Sequence, residues 1–216
     1  MYHQKKELIP VIEKLQDIGK RLHFALQEKQ EGFGHAVLCA KDFVGNEPCL
    51  VLLGDHVYIS HCDLTPAQQV VDSYNTNGKS ITSADICKET DLGLNGILSG
   101  VSIGPALYDV TKIAEKPTVD YAREQLKCEG LSEGEYMCFF GIDLLTPRVF
   151  EILQFNLDNS IRTKGEIQLR DAMAQIAKEE GMLALRVSAS RHDTGNPTEY
   201  AESVEAFNKA RKKYVQ

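Results

Sequence analysis

Apolar residues along this chain fall into two kinds of run, and their spacing predicts an α/β protein. Continuous apolar runs at Cys49–Leu53, Ser80–Cys87 and Tyr136–Leu145 are typical of strands that are buried on both faces. In other stretches apolar residues recur every three or four positions, as in residues 4–23 and 166–180, which is typical of amphipathic helices. Strands and helices that alternate in this way predict a sheet covered by helices.

The stretch from Phe24 to Asp55 has the pattern of a nucleotide site. A short apolar strand is predicted at Phe24–Leu26, followed by the glycines Gly32 and Gly34, a helix and the strand Cys49–Leu53, which leads to Asp55. Two glycines allow the backbone to approach a base or a phosphate closely, although they are also compatible with a plain tight turn. Ligands of α/β proteins gather beyond the carboxyl ends of parallel strands, so Asp55 is a candidate ligand-binding residue.

Composition narrows the class of protein. The chain has 216 residues, of which 43% are hydrophobic and 25% charged, and this is typical of one folded, soluble domain spanning residues 1–216. A net charge of -7 argues against a nucleic acid or an anionic membrane as partner, because an acidic chain would need a concentrated basic face to bind either one. The six cysteines lack paired spacing, and the N-terminus lacks the apolar core of a signal peptide. We therefore expect a cytoplasmic protein with reduced thiols.

Two aspartates are candidate metal ligands. Asp55 and Asp193 each follow a predicted strand, and Mg²⁺ prefers a few carboxylates together with phosphate oxygens of a substrate. A helix cap or a surface turn is the alternative for Asp55. A zinc cluster of His56, His61 and Cys62 is less favoured, because this spacing matches no common zinc site.

An acid and a base lie side by side at Glu115 and Lys116, where Pro117 ends a predicted strand. The carboxylate suits sugar hydroxyls and the ammonium suits a phosphate. A solvated charge pair is the alternative, and the residues alone favour it.

Seven segments together resemble the nucleotide-sugar pyrophosphorylases, and most closely the bacterial-type UTP–glucose-1-phosphate uridylyltransferases. They occur in the family's order and cover most of the chain from about residue 24 onward: GFGHAVLCAKDFVGNEP, VLLGD, NGILSG, IAEKP, FFGIDLLTPRVFEIL, GEIQLRDAM and RHDTGN. The resemblance implies a doubly wound sheet, mixed but mainly parallel and flanked by helices. It also implies formation of UDP-glucose and pyrophosphate from UTP and glucose 1-phosphate with Mg²⁺.

The resemblance also implies a role for each matching residue. Asp55 and Asp193 would hold Mg²⁺ and, with Lys116, form the catalytic set. The substrate-binding residues implied are Gln27 at the uracil edge, Gly32 close to the base, Gly96 in the sugar pocket, Glu115 on the glucose hydroxyls and Lys116 on the sugar phosphate.

The sequence departs from the family in places. The family's G-x-G-T-R phosphate loop has no counterpart here, so we expect an N-terminally incomplete fold with open sheet edges. Asn95 stands where tyrosine is usual, and Arg170 where threonine is usual. Three functions stay open: a uridylyltransferase, a non-catalytic or split-subunit relative that binds a sugar nucleotide, and a pyrophosphorylase for another nucleotide or sugar. A second copy of the chain and a complementing N-terminal segment are open as partners.

Overall fold

The computed structural model describes residue 5 and residues 8–214 as two β-sheets and eight α-helices. The strands are β1 (Cys49–Leu52), β2 (His56–Ser60), β3 (Ile81–Lys88), β4 (Gly96–Ser102), β5 (Leu107–Glu115), β6 (Glu135–Leu145), β7 (Leu183–Arg186) and β8 (Ala189–Asp193). The helices are α1 (Ile9–Gly19), α2 (Phe33–Leu38), α3 (Lys41–Val44), α4 (Pro66–Asn77), α5 (Val119–Gln125), α6 (Arg148–Asp158), α7 (Leu169–Glu179) and α8 (Pro197–Tyr214). None of these helices is long and apolar enough to cross a membrane.

The larger sheet is mixed, as expected, but its neighbouring strands pair mostly antiparallel. Its order is β1-β6-β3-β7-β5-β4, and only β3 and β7 pair in parallel within the described residues. This corrects the expectation of mainly parallel pairing. The reason is that β6 runs antiparallel between β1 and β3, and β5 runs antiparallel between β7 and β4. A continuous apolar run indicates burial on both faces, but it does not fix the direction of the neighbouring strand.

Strand β6 carries the core on both of its faces. Met137 and Phe139 pack in the cluster that includes buried residues of α6 and α7, whereas Phe140 and Ile142 face Val70 of α4. Helices therefore cover both sides of the sheet, which confirms the predicted α/β architecture. The alternation along β6 also directs its one buried acid, Asp143, toward the α7 side.

The smaller sheet is an antiparallel ribbon of β2 and β8. Its register places His56 opposite Asp193 and Ser60 opposite Ala189. The sequence predicted one strand over 183–189 and none directly after Asp55, whereas the structure divides the first into β7 and β8 and adds β2. Both ribbon strands are only half-buried, so neither has the continuous apolar run that identifies a core strand.

The N-terminal part of the described chain exposes its apolar residues. Helix α1 has no buried side chain, and its predicted extension includes residues 4, 6 and 7, which lie outside the described residues. The strand predicted at Phe24–Leu26 is absent: these residues pair with no described strand, and Phe24 is 93% exposed. Strand β1 pairs with β6 alone among the described strands and so has one free edge.

Candidate active site

The β2–β8 ribbon brings the two candidate metal ligands together. Asp55 directly precedes β2, Asp193 ends β8, and the backbone N–H of Thr194 donates to the Asp55 carbonyl oxygen at 2.8 Å. A Cβ placed on Gly195 would lie 3.0 Å from Asp193 Oδ1 and 3.2 Å from Asp55 Oδ2, so both carboxylates border the same small volume. The backbone N–H of Gly195 also donates to Asp193 Oδ1 at 2.7 Å.

The donor set fits Mg²⁺ better than zinc. No group of three or more histidine, cysteine, aspartate or glutamate side chains forms a metal cage within residues 5 and 8–214, so the zinc alternative with His61 and Cys62 is not supported. Two carboxylates without further protein ligands match a hard cation that keeps waters and completes its shell with substrate phosphates. The role of Asp55 and Asp193 in holding a metal stays a prediction.

A cavity of about 340 Å³ lies beside this pair and contains the predicted sugar-binding residues. Gly96, Glu115, Lys116 and Asp193 all line it. The β4–β5 hairpin explains part of this arrangement, because its register pairs Gly96 with Glu115 at the open end of the hairpin. Gly96 and the neighbouring pair of Glu115 and Lys116 therefore border the same cavity as one candidate metal ligand, Asp193.

Lys116, which lines the cavity, has an unusual backbone conformation. Its φ of 47° lies in the left-handed region that a long side chain rarely adopts, and its N–H donates to the Asn95 carbonyl oxygen at 3.2 Å. Such strain persists only where the surrounding structure enforces it, and it is frequent at functional sites. The turn ends the β5 ladder immediately before Pro117, as the sequence predicted.

Gln27 and Gly32 lie outside the lining of this cavity, although Phe33 belongs to it. The side-chain nitrogen of Gln27 donates to the Gly32 carbonyl oxygen at 3.0 Å and lies 3.1 Å from His35 Nδ1. Gly32 has a φ of 112°, and a Cβ there would lie 2.7 Å from the carbonyl oxygen of Ile167. The glycine is therefore required by the packing of its own loop, and the contact of either residue with a base stays a prediction.

His56 is a site residue that the sequence suggested only as a zinc ligand. Its Nε2 lies 3.5 Å from Asp193 Oδ2, and its Nδ1 is buried without a hydrogen-bond partner. Burial lowers the pKa of His56, the charge of Arg191 lowers it further, and Asp55 and Asp193 oppose both effects. The ring fits only because residue 141 is glycine: a Cβ at Gly141, where φ is 101°, would lie 2.6 Å from His56 Nδ1.

Arg170 is held in the cavity wall by a buried ion pair. Its Nη1 donates to Asp143 Oδ2 at 3.0 Å, and its guanidinium carbon lies 3.6 Å from the centre of the Phe139 ring. The Thr82 hydroxyl donates to the other oxygen of Asp143. The side chains of Arg170 and Asp143 are only 13% and 4% exposed, so the pair is largely removed from water.

The sequence pattern did not indicate that Asp143, Arg191 or His56 belongs to this site. For Asp143 the sequence did contain an indication, because an acid inside the apolar run of β6 needs a cationic partner when it is buried. An arginine one residue after Leu169, on a helix with a core face, was a candidate for that partner. Arg191 and His56 lie on half-buried strands, where a charged or polar residue carries no such signal.

Gly96→Ala is expected to displace the Glu115 carboxylate and, if the cavity binds a sugar as the resemblance implies, to weaken that binding about 10-fold or more. The added Cβ would lie 2.8 Å from Glu115 Oε2 and 3.0 Å from Phe139 Cδ2. Isothermal titration calorimetry with UDP-glucose measures the effect. Gly93→Ala is the matched control, since a Cβ there meets nothing within 4 Å. Equal affinities for the two variants would show that Glu115 does not need this space.

Comparison with known proteins identifies the family of the chain. The profile of the nucleotidyl transferase family matches residues 1–210. The chain belongs to this family. UTP–glucose-1-phosphate uridylyltransferase 1 of Staphylococcus saprophyticus is 30% identical over 186 residues, which are 86% of this chain and 59% of that protein. The corresponding YngB protein of Bacillus subtilis is 29% identical over 194 residues, 89% of this chain and 59% of that protein.

Solved structures confirm the family fold. An apo UDP-glucose pyrophosphorylase superposes with a TM-score of 0.78 at 25% identity, covering 98% of this chain and 75% of that one. A UDP-glucose pyrophosphorylase in complex with UDP-glucose gives a TM-score of 0.78 at 24% identity, covering 95% and 74%. The chain therefore shares the fold of these two structures, as the resemblance implied. The chain nevertheless spans only 59% of the length of the two curated relatives above.

Proposed function

We propose that this site forms UDP-glucose and pyrophosphate from UTP and glucose 1-phosphate, with Mg²⁺ held by Asp55 and Asp193. The observation that carries the proposal is that Glu115, Lys116 and Asp193 border one cavity, with Asp55 beside Asp193. An acid suited to sugar hydroxyls, a cation suited to a phosphate and a carboxylate pair suited to a hard metal are within reach of one ligand. The names of the relatives from S. saprophyticus and B. subtilis support this choice of nucleotide and sugar.

The chain's contribution to such a transfer is positioning and charge neutralisation. Glu115 accepts hydrogen bonds from glucose hydroxyls, and Lys116 reduces the repulsion between the sugar phosphate and the nucleotide. A phosphate oxygen of glucose 1-phosphate then attacks the α-phosphorus of UTP in line, the bond from that phosphorus to the β-phosphate oxygen breaks, and pyrophosphate leaves. When bound, Mg²⁺ supplies further neutralisation of the phosphate oxygens.

For the base, we propose that Gln27 reads the uracil edge through its amide, with Gly32 close to the ring. The Gln27 nitrogen donates to Gly32 and contacts His35. Because a carboxamide has two donors and an acceptor with two lone pairs, its oxygen remains available for a base in this arrangement.

A second candidate is a relative that binds a sugar nucleotide but needs a complementing segment for turnover. Exposed apolar side chains favour it: Leu15 is 61% exposed, Phe24 93% and Leu26 78%. The free edge of β1 favours it as well, because an unpaired edge accepts a further strand. A pyrophosphorylase for another nucleotide or sugar is the third candidate, since Asn95 and Arg170 both line the cavity.

The 216-residue chain, incubated with UTP, glucose 1-phosphate and Mg²⁺, is expected to release pyrophosphate, whereas the same mixture with EDTA releases none. UDP-glucose is expected to raise the unfolding temperature more than dTDP-glucose or CDP-glucose, because the tightest ligand stabilises most. Stabilisation by UDP-glucose without turnover would favour the second candidate. Stronger stabilisation by another sugar nucleotide would favour the third, and no response to any ligand would contradict all three.

A further inference from the structure

Arg191 is a cation in the cavity wall whose hydrogen-bond partners are all neutral. It lies on β8, and its Nη1 donates to the Phe139 carbonyl oxygen at 3.0 Å. Its Nη2 lies 3.5 Å from the side-chain oxygen of Asn95, a longer and weaker contact. The side chain is half-buried and lines the cavity that Glu115 also borders.

Four arginines of the described chain differ from Arg191 in having acidic partners: Arg123, Arg148, Arg162 and Arg170. Arg170 pairs with Asp143, and Arg123 pairs with Glu89. No carboxylate oxygen of the described residues lies within 4.0 Å of the Arg191 guanidinium. Neutral acceptors orient a guanidinium without cancelling its charge, so its positive potential remains directed at the cavity.

Asn95 connects Arg191 to the second cation of the cavity. Its carbonyl oxygen accepts from the N–H of Lys116 at 3.2 Å, and its side-chain oxygen faces Arg191. Its side-chain nitrogen donates to the Asp91 carbonyl oxygen at 2.9 Å, which fixes the orientation of the amide. One residue therefore sets the positions of both cations relative to each other. No described carboxylate pairs with the Lys116 ammonium either.

We propose that Arg191 binds phosphoryl oxygens of the ligand, and that Asn95 positions Arg191 and Lys116 as a two-cation clamp. The inference rests on the proposed function, because it assigns a phosphate-bearing ligand to the same cavity. A guanidinium presents five donors in a planar fork that matches two phosphate oxygens, and only two of its nitrogens are engaged here. The phosphoryl group belongs either to the sugar phosphate or to the nucleotide.

Arg191→Gln is the direct test. It is expected to weaken binding about 10- to 100-fold, the range for losing charge-assisted hydrogen bonds, and Arg191→Lys is expected to recover part of the loss. Isothermal titration calorimetry of the full chain uses glucose 1-phosphate, UDP and inorganic pyrophosphate as separate probes. Loss confined to glucose 1-phosphate identifies the sugar phosphate as the ligand of Arg191, and loss confined to UDP identifies the nucleotide. Arg21→Gln, an equal charge change at an exposed residue, controls for net charge.

The outcomes separate this inference from the proposed function. Unchanged affinity of Arg191→Gln for every phosphate probe that the wild type binds, or an equal loss in Arg21→Gln, overturns the clamp and leaves the proposed function intact. Arg191-dependent binding of pyrophosphate without any binding of glucose 1-phosphate or UDP supports the clamp and contradicts the proposed function. Absence of wild-type binding to all three probes overturns both. Circular dichroism of each variant without ligand confirms that it is folded.

A double-mutant cycle tests the positioning role of Asn95. Asn95→Ala is expected to weaken binding about 3- to 10-fold, and the double variant Asn95→Ala/Arg191→Gln is expected to bind no worse than Arg191→Gln alone. Such non-additivity arises only if Asn95 acts through Arg191. Fully additive losses would overturn the positioning role.

Discussion

Arg170→Met is expected to lower the free energy of unfolding by about 3–5 kcal/mol, the cost of leaving a buried charge without its partner. Asp143 is 4% exposed at its side chain, and without Arg170 it keeps only the Thr82 hydroxyl as a side-chain donor. Methionine retains much of the aliphatic volume of arginine, so most of the loss comes from the unpaired carboxylate. Urea unfolding at pH 7, followed by circular dichroism without ligand, measures the change.

Two further variants test whether the loss of stability comes from the unpaired buried charge. Arg170→Met/Asp143→Leu removes both charges and is expected to recover most of the lost stability, since apolar residues replace buried ion pairs at little net cost. Arg148→Met breaks exposed pairs with Glu179 and Glu151, and it is expected to leave the free energy of unfolding almost unchanged, because water already screens these charges. If the double variant were as unstable as Arg170→Met, packing around Phe139 rather than charge would be responsible.

The Arg170–Asp143 pair is a contact that the sequence did not predict, although both elements that carry it were predicted. The apolar run of β6 was recognised as a core strand, and residues 166–180 as a helix with a core face. Which face of β6 meets that helix depends on the strand order, and a one-dimensional pattern does not contain the strand order. The pair joins residues 27 positions apart and became visible only when α7 was placed against β6.

The pairing of Asp55 with Asp193 was predictable, but the way it is achieved was not. The sequence placed each acid after an apolar run, and the family resemblance assigned both to one metal ion. We expected them to converge at the ends of parallel core strands. Instead an antiparallel ribbon outside the main sheet brings them together, with His56 opposite Asp193. Half-buried strands of this kind mix polar and apolar residues, so their pattern is close to that of a loop.

Gly141 is a glycine whose structural reason could be predicted only in part from the sequence. A glycine inside a strand indicates a bulge or a close approach, and β6 does lose its regular register against β3 between Thr82 and Ala84. What approaches Gly141 is the His56 ring, and this contact joins the main sheet to the ribbon. The sequence predicts that space is needed at such a position but not which residue occupies it.

Asp193→Asn is expected to abolish the stabilisation that Mg²⁺ adds to a nucleotide complex and to reduce any turnover about 100-fold or more. Asparagine keeps the size of the side chain and an oxygen for the Gly195 N–H, so the loop after β8 is retained while one negative charge is removed. Differential scanning fluorimetry with UDP-glucose, with Mg²⁺ or with EDTA, measures the first effect without relying on catalysis. Asp55→Asn is expected to behave in the same way.

In the ligand-free protein the same substitution is expected to have the opposite effect on the unfolding temperature. This difference distinguishes a metal-binding role of Asp193 from a structural one. Asp55 and Asp193 border the same volume beside Gly195, so their negative charges repel each other when no cation lies between them. Neutralising one of them is therefore expected to leave the unfolding temperature in EDTA unchanged or to raise it, while the response to Mg²⁺ disappears. Asp63→Asn removes one exposed carboxylate outside this cavity and should keep the wild-type response. A lower unfolding temperature of Asp193→Asn in EDTA, together with a normal response to Mg²⁺, would mean that Asp193 is structural and that the cation binds elsewhere.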